Sequence, residues 1–150
     1  MSAEDEVRQA SEQYYAALTA LLTGDAGPLM QIWSHRPDVT AMNPYGGREV
    51  GWEQLRPVFE RVAHLCVGSQ ATVWLQDPLI RVGGELAYEI GIESGKGVIM
   101  GKQTTIRQRV TNIYRREAGG WKMVHRHTDL NPAEQQESKQ LHSSQEEVSS

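Results

Sequence analysis

The chain has 150 residues, of which 39% are hydrophobic, and it carries a formal net charge of −4 at neutral pH. This length and composition predict a single soluble domain with a substantial hydrophobic core. The acidic balance argues against nucleic acid and against an anionic membrane as partners, because phosphate groups are bound by basic surfaces.

Other bulk features of the sequence are typical of an intracellular protein. Cys66 is the one cysteine, which excludes an intramolecular disulfide framework. The acidic segment Met1–Glu6 is not typical of a secretory signal or a transit peptide. No apolar run approaches the length of about 20 residues that spans a bilayer. We therefore expect a cytoplasmic protein without a membrane partner.

The first half of the chain shows apolar residues at helical spacing. From Ala3 to about Thr23 they recur every three or four positions, which predicts an amphipathic helix that ends at Gly24. A shorter helix is expected after Asp25, and a third from about Gly51 to Cys66. Pro57 lies inside the third helix, which therefore either kinks or starts later.

The rest of the chain has the pattern of β-structure. Val39–Met42 is predicted to be extended, and Asn43–Gly47 is predicted to be a turn. Further strands are predicted at Ala71–Arg81, Leu86–Glu93, Val98–Arg116 (one strand or two) and Gly120–Asp129, with turns at Gly83–Gly84, Ser94–Gly97 and Glu117–Gly120. Pro78 indicates an edge strand or a bulge. Short turns favour a curved antiparallel sheet of about five or six strands, so we expect an α+β fold with the helices in the concavity.

The last twenty residues differ in composition from the rest. Residues 131–150 are rich in Glu, Gln and Ser and contain little to bury. We therefore expect one domain over residues 1–130, followed by a solvated tail. A terminal amphipathic helix is the alternative.

The final predicted strand carries most of the candidate chemistry. With a period of two, Trp121 and Met123 share a face with His125, His127 and Asp129. This face would leave the core and enter the mouth of a polar cavity, although a strand end that reaches solvent has the same pattern. Imidazole titrates near neutral pH, so the two histidines are candidate proton shuttles and Asp129 is a candidate orienting group.

The spacing of the same two histidines also fits metal ligands. Neighbours on one strand face lie about 7 Å apart, so both imidazoles could reach one ion. Asp129 lies too far along a straight strand, and a third ligand would have to come from Glu89 or His35. The sequence has no phosphate loop, dinucleotide fingerprint or serine nucleophile elbow. We therefore expect neither a metal nor a cofactor.

Two carboxylates on another strand have an ambiguous position. Glu89 and Glu93 share one face of their predicted strand, and the sequence does not decide whether that face packs on the helices. If Glu89 points into the cavity, it is the best candidate base; otherwise it is a solvated or interface carboxylate. Among the large aromatic residues, Trp33, Tyr45 and Tyr14 are candidates for the wall of a ligand cavity.

The chain resembles the NTF2-like (cystatin-like cone) superfamily from about Glu6 to Asp129, and within it the SnoaL-like and DUF4440-like proteins. The resemblance rests on Gln13–Leu18, on Trp33–His35 followed by Asn43–Gly47, on Arg109–Arg116, and most specifically on Gly119–His127. It implies a cone in which the N-terminal helices pack inside the curved sheet. In this superfamily a polar outer sheet surface, here with Arg107 and Arg109, often pairs in a homodimer.

Members of this superfamily include ketosteroid isomerases, polyketide cyclases, dehydratases and binding modules without chemistry, so the resemblance does not fix the function. Comparison with the isomerases implies an oxyanion-hole position for Tyr14 and for Asn112. It places Asn43 where the isomerases have their general base, which makes Asn43 a further candidate for the wall of the ligand cavity. The isomerases have carboxylates at the positions of Asn43 and Asn112. An amide does not take up a proton at neutral pH, but Asn112 can still donate a hydrogen bond to an oxyanion.

Two functions are therefore expected as alternatives. The first is a cofactor-independent acid/base enzyme of isomerase, cyclase or dehydratase type, acting on a small hydrophobic carbonyl compound. In it His125 or His127 would move the proton and Asp129 would orient the ring. Tyr14 and Asn112 would stabilise the oxyanion. The second is a non-catalytic module for small-molecule binding or dimerisation.

Overall fold

The structure, a computed structural model, describes residues 1–44 and 46–130. Its elements are α1 (Ala3–Leu21), α2 (Gly27–Ile32), β1 (Thr40–Asn43), β2 (Gly46–Val50), α3 (Trp52–Leu65), β3 (Gln70–Gly83), β4 (Leu86–Ile99), β5 (Lys102–Glu117) and β6 (Gly120–Leu130). Tyr45 and the expected tail, residues 131–150, lie outside the described residues. Across the described ranges, no helix is long and apolar enough to cross a membrane.

The six strands form one sheet in the order β2-β1-β6-β5-β4-β3. The strands from β3 to β6 form the predicted antiparallel meander. β1 pairs with β6 in parallel, so the sheet is mixed rather than purely antiparallel. A parallel pair requires a long connection, and here β2, α3 and the strands β3 to β5 lie between β1 and β6 in the chain. The predicted α+β cone is confirmed, with helices on the inner face.

The hairpin between β4 and β5 differs from the predicted one. Ser94–Gly97, expected to be a turn, lies inside β4, and the chain reverses at Met100–Gly101 with positive φ angles of 52° and 79°. Gly95 is explained by a close approach of the neighbouring strand, because a Cβ atom there would lie 2.8 Å from the Thr72 carbonyl oxygen. Glycine therefore marks close backbone contact here, not a turn.

The helices begin and end close to the predicted positions. α1 opens with a capping box in which Ser2 and Asp5 exchange hydrogen bonds. α3 begins at Trp52 and contains Pro57 in its interior. The missing amide hydrogen of the proline therefore did not delay the start of the helix. The buried side chains of α1 and α3 form a common core with the inner face of the sheet.

Two bulges decide which side chains face this core. In β3 the pairing with β4 shifts between Gln76 and Leu79, which is the bulge that Pro78 indicated. Asp77 in this bulge has a φ of 53°. In β6 the pairing with β5 shifts so that Ile113 faces His125 while Tyr114 faces Met123. One extra residue in a strand reverses the alternation of side chains beyond it.

Candidate functional site

The bulge in β6 overturns the predicted face of that strand. Trp121 and Met123 face the core as expected. Beyond the bulge Arg126 and Thr128 face inward, with 7% and 0% exposure, whereas His125, His127 and Asp129 lie on the outer face. The prediction that Trp121 and His127 share one face is therefore wrong. The adjacent apolar pair Met123-Val124, both buried, is the sequence signal for the bulge.

A buried ion pair occupies the interior where the histidines were expected. Arg126 donates two hydrogen bonds to Glu93, at 2.6 Å from Nη1 to Oε2 and 2.5 Å from Nη2 to Oε1. The hydroxyl of Tyr15 and the amide of Gln108 also donate to this carboxylate, at 3.1 and 3.0 Å. Burial opposes ionisation of Glu93, but the charge and hydrogen bonds of Arg126 outweigh it, so the pKa of Glu93 is lowered.

Glu89 also faces inward, which resolves the ambiguity left by the sequence. Its side chain has 0% exposure. Its Oε1 atom accepts hydrogen bonds from the Tyr114 hydroxyl at 3.0 Å and from the Asn112 amide at 3.1 Å. Its Oε2 atom is buried and has no hydrogen-bond partner within the described part of the chain. Glu89 is therefore a buried carboxyl group with one free acceptor.

Glu89, Glu93, Arg126 and the side chains that hydrogen-bond to the two carboxyl groups form a buried cluster. The two predicted oxyanion donors, Tyr14 and Asn112, belong to it or lie beside it. Tyr14 is 1% exposed, its ring centroid lies 5.7 Å from the guanidinium carbon of Arg126, and burial raises its pKa. Asn112 donates through Nδ2 to both the Tyr15 hydroxyl, at 3.0 Å, and Glu89. Both amide hydrogens of Asn112 are thus engaged, while its Oδ1 atom is buried without a partner in the described structure. The oxyanion role of Tyr14 and Asn112 remains a prediction.

A cavity of about 580 Å³ lies between α1 and β3. Residues that line it include Ser11, Tyr15, Thr19, Trp74, Leu75 and Glu89. It therefore combines apolar walls with Glu89 of the buried cluster. Neither Trp33 nor Asn43 belongs to its lining.

The remaining predicted wall residues lie elsewhere. Trp33 is 1% exposed and packs against Phe59 in the core, with ring centroids 5.7 Å apart. Asn43 is partly buried at the end of β1. Trp33 therefore serves the hydrophobic core, and Glu89 is the predicted ligand contact that reaches the α1–β3 cavity.

The histidines on the outer face have polar partners of their own. His125 Nδ1 lies 2.7 Å from the Thr40 hydroxyl, and His127 Nε2 lies 3.2 Å from Asp129 Oδ2. Partial burial and the neighbouring His127 lower the pKa of His125. His127 and Asp129 border a depression of about 540 Å³ on the outer face, together with Ile90 and Arg109. In the described ranges no group of three or more His, Cys, Asp or Glu side chains could hold a metal ion.

Several members of the buried cluster were missed from the sequence. These are Tyr15, Gln108 and Tyr114, which lie at core positions of their elements, and Arg126, which strict alternation with His125 and His127 places on the opposite face of β6. The alternation in β5 could have indicated Gln108, Asn112 and Tyr114 as one inward row. Arg126 required knowledge of the bulge.

The sequence matches the SnoaL-like domain family over residues 7–129. The chain therefore belongs to this family. No curated protein sequence matches the chain.

Solved structures with the same fold include three informative neighbours. A candidate dehydratase of the NTF2-like family from Streptomyces avermitilis has a TM-score of 0.73 and 19% identity, covering 85% of this chain and 95% of that one. An NTF2-like superfamily protein from Salmonella enterica serovar Typhimurium has a TM-score of 0.71 and 22% identity, covering 85% and 89%. The CaMKII hub of S. rosetta has a TM-score of 0.67 and 20% identity, covering 87% and 98%. Identities this low show the shared fold alone.

Proposed function

We propose that this SnoaL-like protein binds a small, largely apolar molecule in the α1–β3 cavity, and that Glu89 accepts a hydrogen bond or a proton from it. The observation that carries the proposal is the state of the Glu89 carboxyl group. It is fully buried and part of the cavity lining, and its Oε2 atom lacks a partner among the described residues. An unsatisfied buried acceptor costs roughly 1–3 kcal/mol, so a ligand that supplies the missing donor regains free energy.

The shape and lining of the cavity support this proposal. Small-molecule sites usually have volumes of about 300–1,000 Å³, with mostly apolar walls and a few polar groups. The α1–β3 cavity, at about 580 Å³, has Val73, Leu75 and Ile80 in its wall, and the hydroxyl-bearing residues Ser11 and Thr19. Its composition therefore fits a molecule with an apolar body and a small polar group.

Proton transfer is the chemistry that Glu89 can perform in this place. A carboxyl group held out of water by neutral donors is a typical general acid or base of enzymes that work without a cofactor. The name of the Streptomyces avermitilis neighbour, a candidate dehydratase, agrees with such chemistry. His125 and His127, the bases expected from the sequence, lie on the outer face of the sheet and therefore do not reach a ligand in this cavity. An acid/base enzyme remains the catalytic form of the proposal, and a binding protein its non-catalytic form.

Blocking the cavity mouth tests the proposal. Ala16 is exposed on α1 and lines the cavity, so Ala16→Phe should obstruct the mouth without entering the core. Gln13→Phe, at an exposed position of the same helix outside this lining, is the matched control. In ligand-observed NMR, small aromatic fragments should bind the wild type and Gln13→Phe but not Ala16→Phe. Absence of binding to the wild type, or unchanged binding to Ala16→Phe, would contradict the proposal.

A second function, assembly into a homodimer, is favoured by a separate observation. Four apolar side chains on the outer face of β3 and β4 are between 39% and 50% exposed, namely Leu79, Leu86, Tyr88 and Ile90. The strand pairing sets Leu79 beside Ile90, so these side chains form a common patch. Exposed apolar patches are typical of interaction surfaces, and a CaMKII hub shares this fold. We propose that two copies pair through this face.

A further inference from the structure

We infer that the molecule bound in the α1–β3 cavity carries a positively charged amine, and that this amine binds the carboxyl group of Glu89. The inference rests on the proposed small-molecule site and names its ligand class. It depends on the charges buried inside the cone, on the residues at the cavity mouth and on the apolar wall.

In the described part of the chain, the interior contains one acidic side chain more than it contains basic ones. Among the described residues, the buried acidic and basic side chains are Glu89, Glu93 and Arg126. Arg126 directs both terminal nitrogens of its guanidinium group to the two oxygens of Glu93. The hydrogen-bond partners of Glu89 are the neutral groups of Tyr114 and Asn112. Within residues 1–44 and 46–130, Glu89 thus has no basic hydrogen-bond partner, and burying a carboxylate without one is costly.

The mouth of the cavity disfavours an anionic ligand. Glu12 and Arg8 both line it, and Arg8 is paired with Glu4 at 3.2 Å on the same helix. Glu12 adds a second acidic side chain on the route to Glu89. An anion would therefore pass one carboxylate and approach another, whereas a cation is attracted by both.

The remaining lining indicates the body of the ligand. Aliphatic surface is presented by Val73, Leu75, Pro78 and Ile80. The lining therefore fits an amine attached to an aromatic or aliphatic group, with the ammonium at the Glu89 end.

Contact with Glu89 requires a local movement. Its side chain has 0% exposure, so the covering side chains must shift before a ligand reaches Oε2. Tyr15 lines the cavity beside Glu89 and is held by Glu93 and Asn112 through its hydroxyl. A hydroxyl-bearing ligand could satisfy the free oxygen, but an amine would also supply the positive charge that this carboxyl group lacks.

A series of three compounds with one body and different head groups tests the inference. Phenethylamine, phenethyl alcohol and hydrocinnamate present an ammonium, a hydroxyl and a carboxylate on the same phenylethyl body. Their dissociation constants are measured by NMR titration at neutral pH and low salt. We expect phenethylamine to bind the wild type at least about tenfold more tightly than the alcohol, and hydrocinnamate to bind more weakly than both.

Two carboxyl-to-amide variants identify the group that recognises the amine. Glu89→Gln should abolish the preference for phenethylamine over the alcohol while the alcohol still binds. Glu12→Gln, at the exposed mouth, is the matched control and should retain most of the preference. A preference that survives in Glu89→Gln would overturn the inference. The wild-type series decides independently if Glu89→Gln does not fold.

The outcomes separate this inference from the proposed function. If the alcohol or hydrocinnamate binds as tightly as the amine, and Ala16→Phe blocks that binding, the amine assignment is wrong while the small-molecule site stands. If none of the three compounds binds the wild type, both the amine assignment and the cavity site are contradicted.

Discussion

Arg126 makes a bidentate ion pair with Glu93 inside the cone, and its two neighbours in β6, His125 and His127, face the other side of the sheet. The pair links β6 to β4, and the Tyr15 hydroxyl ties it to α1. Its geometry follows from the bulge at Val124, which reverses the alternation of the strand. Beside the hydrophobic core, the interior therefore contains a polar network built on one arginine and two glutamates.

Removing one partner of this ion pair should destabilise the protein strongly. Arg126→Met leaves Glu93 buried without its cation, and such a loss costs about 3–5 kcal/mol in free energy of unfolding. Equilibrium urea unfolding provides the measurement. The double variant Glu93→Leu with Arg126→Met should lose much less than the sum of the single variants, because no unpaired charge remains. Additive losses would contradict the ion-pair account.

His127, on the outer face of β6, should contribute little to the free energy of unfolding. His127→Ala removes a half-exposed side chain whose partner, Asp129, is also exposed. Substitutions of this kind usually change the free energy of unfolding by less than about 0.5 kcal/mol. Urea unfolding of His127→Ala beside Arg126→Met therefore tests the face assignment. A loss of several kcal/mol in His127→Ala would show that this ring packs in the core.

His125 should make stability depend on pH in the mildly acidic range. Its pKa in the folded protein lies below the usual value of about 6.5, so the unfolded chain binds the proton more readily. Stability should therefore fall as the pH decreases from about 6.5 through the folded-state pKa. His125→Gln should show a weaker decrease between pH values of about 7 and 5.5, measured by thermal unfolding. Identical profiles would contradict this assignment.

The proposed homodimer should depend on the apolar patch of β3 and β4. Ile90→Arg places a charge in that patch, at a residue that is already 39% exposed, so the fold should tolerate it. Light scattering coupled to gel filtration should report a dimer for the wild type and a monomer for Ile90→Arg. Glu53→Arg, at an exposed position of α3, is the control and should remain dimeric. A monomeric wild type would rule out the proposed assembly.

If the protein is an enzyme, Glu89 should be its base. Small aryl ketones incubated with the protein in heavy water should exchange their α-protons faster than without it. Glu89→Gln should reduce this exchange by roughly 10²–10⁴-fold, the usual contribution of a general base, whereas Glu12→Gln should not. Equal exchange by wild type and Glu89→Gln would exclude Glu89 as the base, and no acceleration by the wild type would leave the non-catalytic form of the proposal.

The sequence predicts the fold well because its periodicities are strong. The apolar spacing of α1 and the alternation in β4 and β5 each arise from one continuous pattern. The sequence pattern predicts the turn between β4 and β5 at Ser94–Gly97 instead of Met100–Gly101, because glycines required by close strand contact resemble turn residues. The parallel pairing of β1 with β6 joins distant segments, and no local pattern reports it.

The candidate site was less accessible to sequence reasoning for a specific physical reason. A one-residue bulge at Val124 reverses the inward and outward positions in the rest of β6. Strict alternation therefore predicts the wrong face for the residues that follow it. Glu89 was identified as a conditional candidate because its strand is regular there and one of its faces had to be buried. Predicting the location of Glu89 requires only a choice between the two faces of a regular strand. Predicting the location of Arg126 requires knowledge of the bulge.

The most direct measurement for the central claim is a map of backbone amide chemical shifts during titration with phenethylamine. We expect the largest changes in the cavity lining, at Tyr15, Ala16 and Thr19 of α1, and clearly smaller changes at the same phenethylamine concentration in Glu89→Gln. Changes centred instead on His127 and Asp129, unaffected by that substitution, would place the ligand on the outer face and contradict the account.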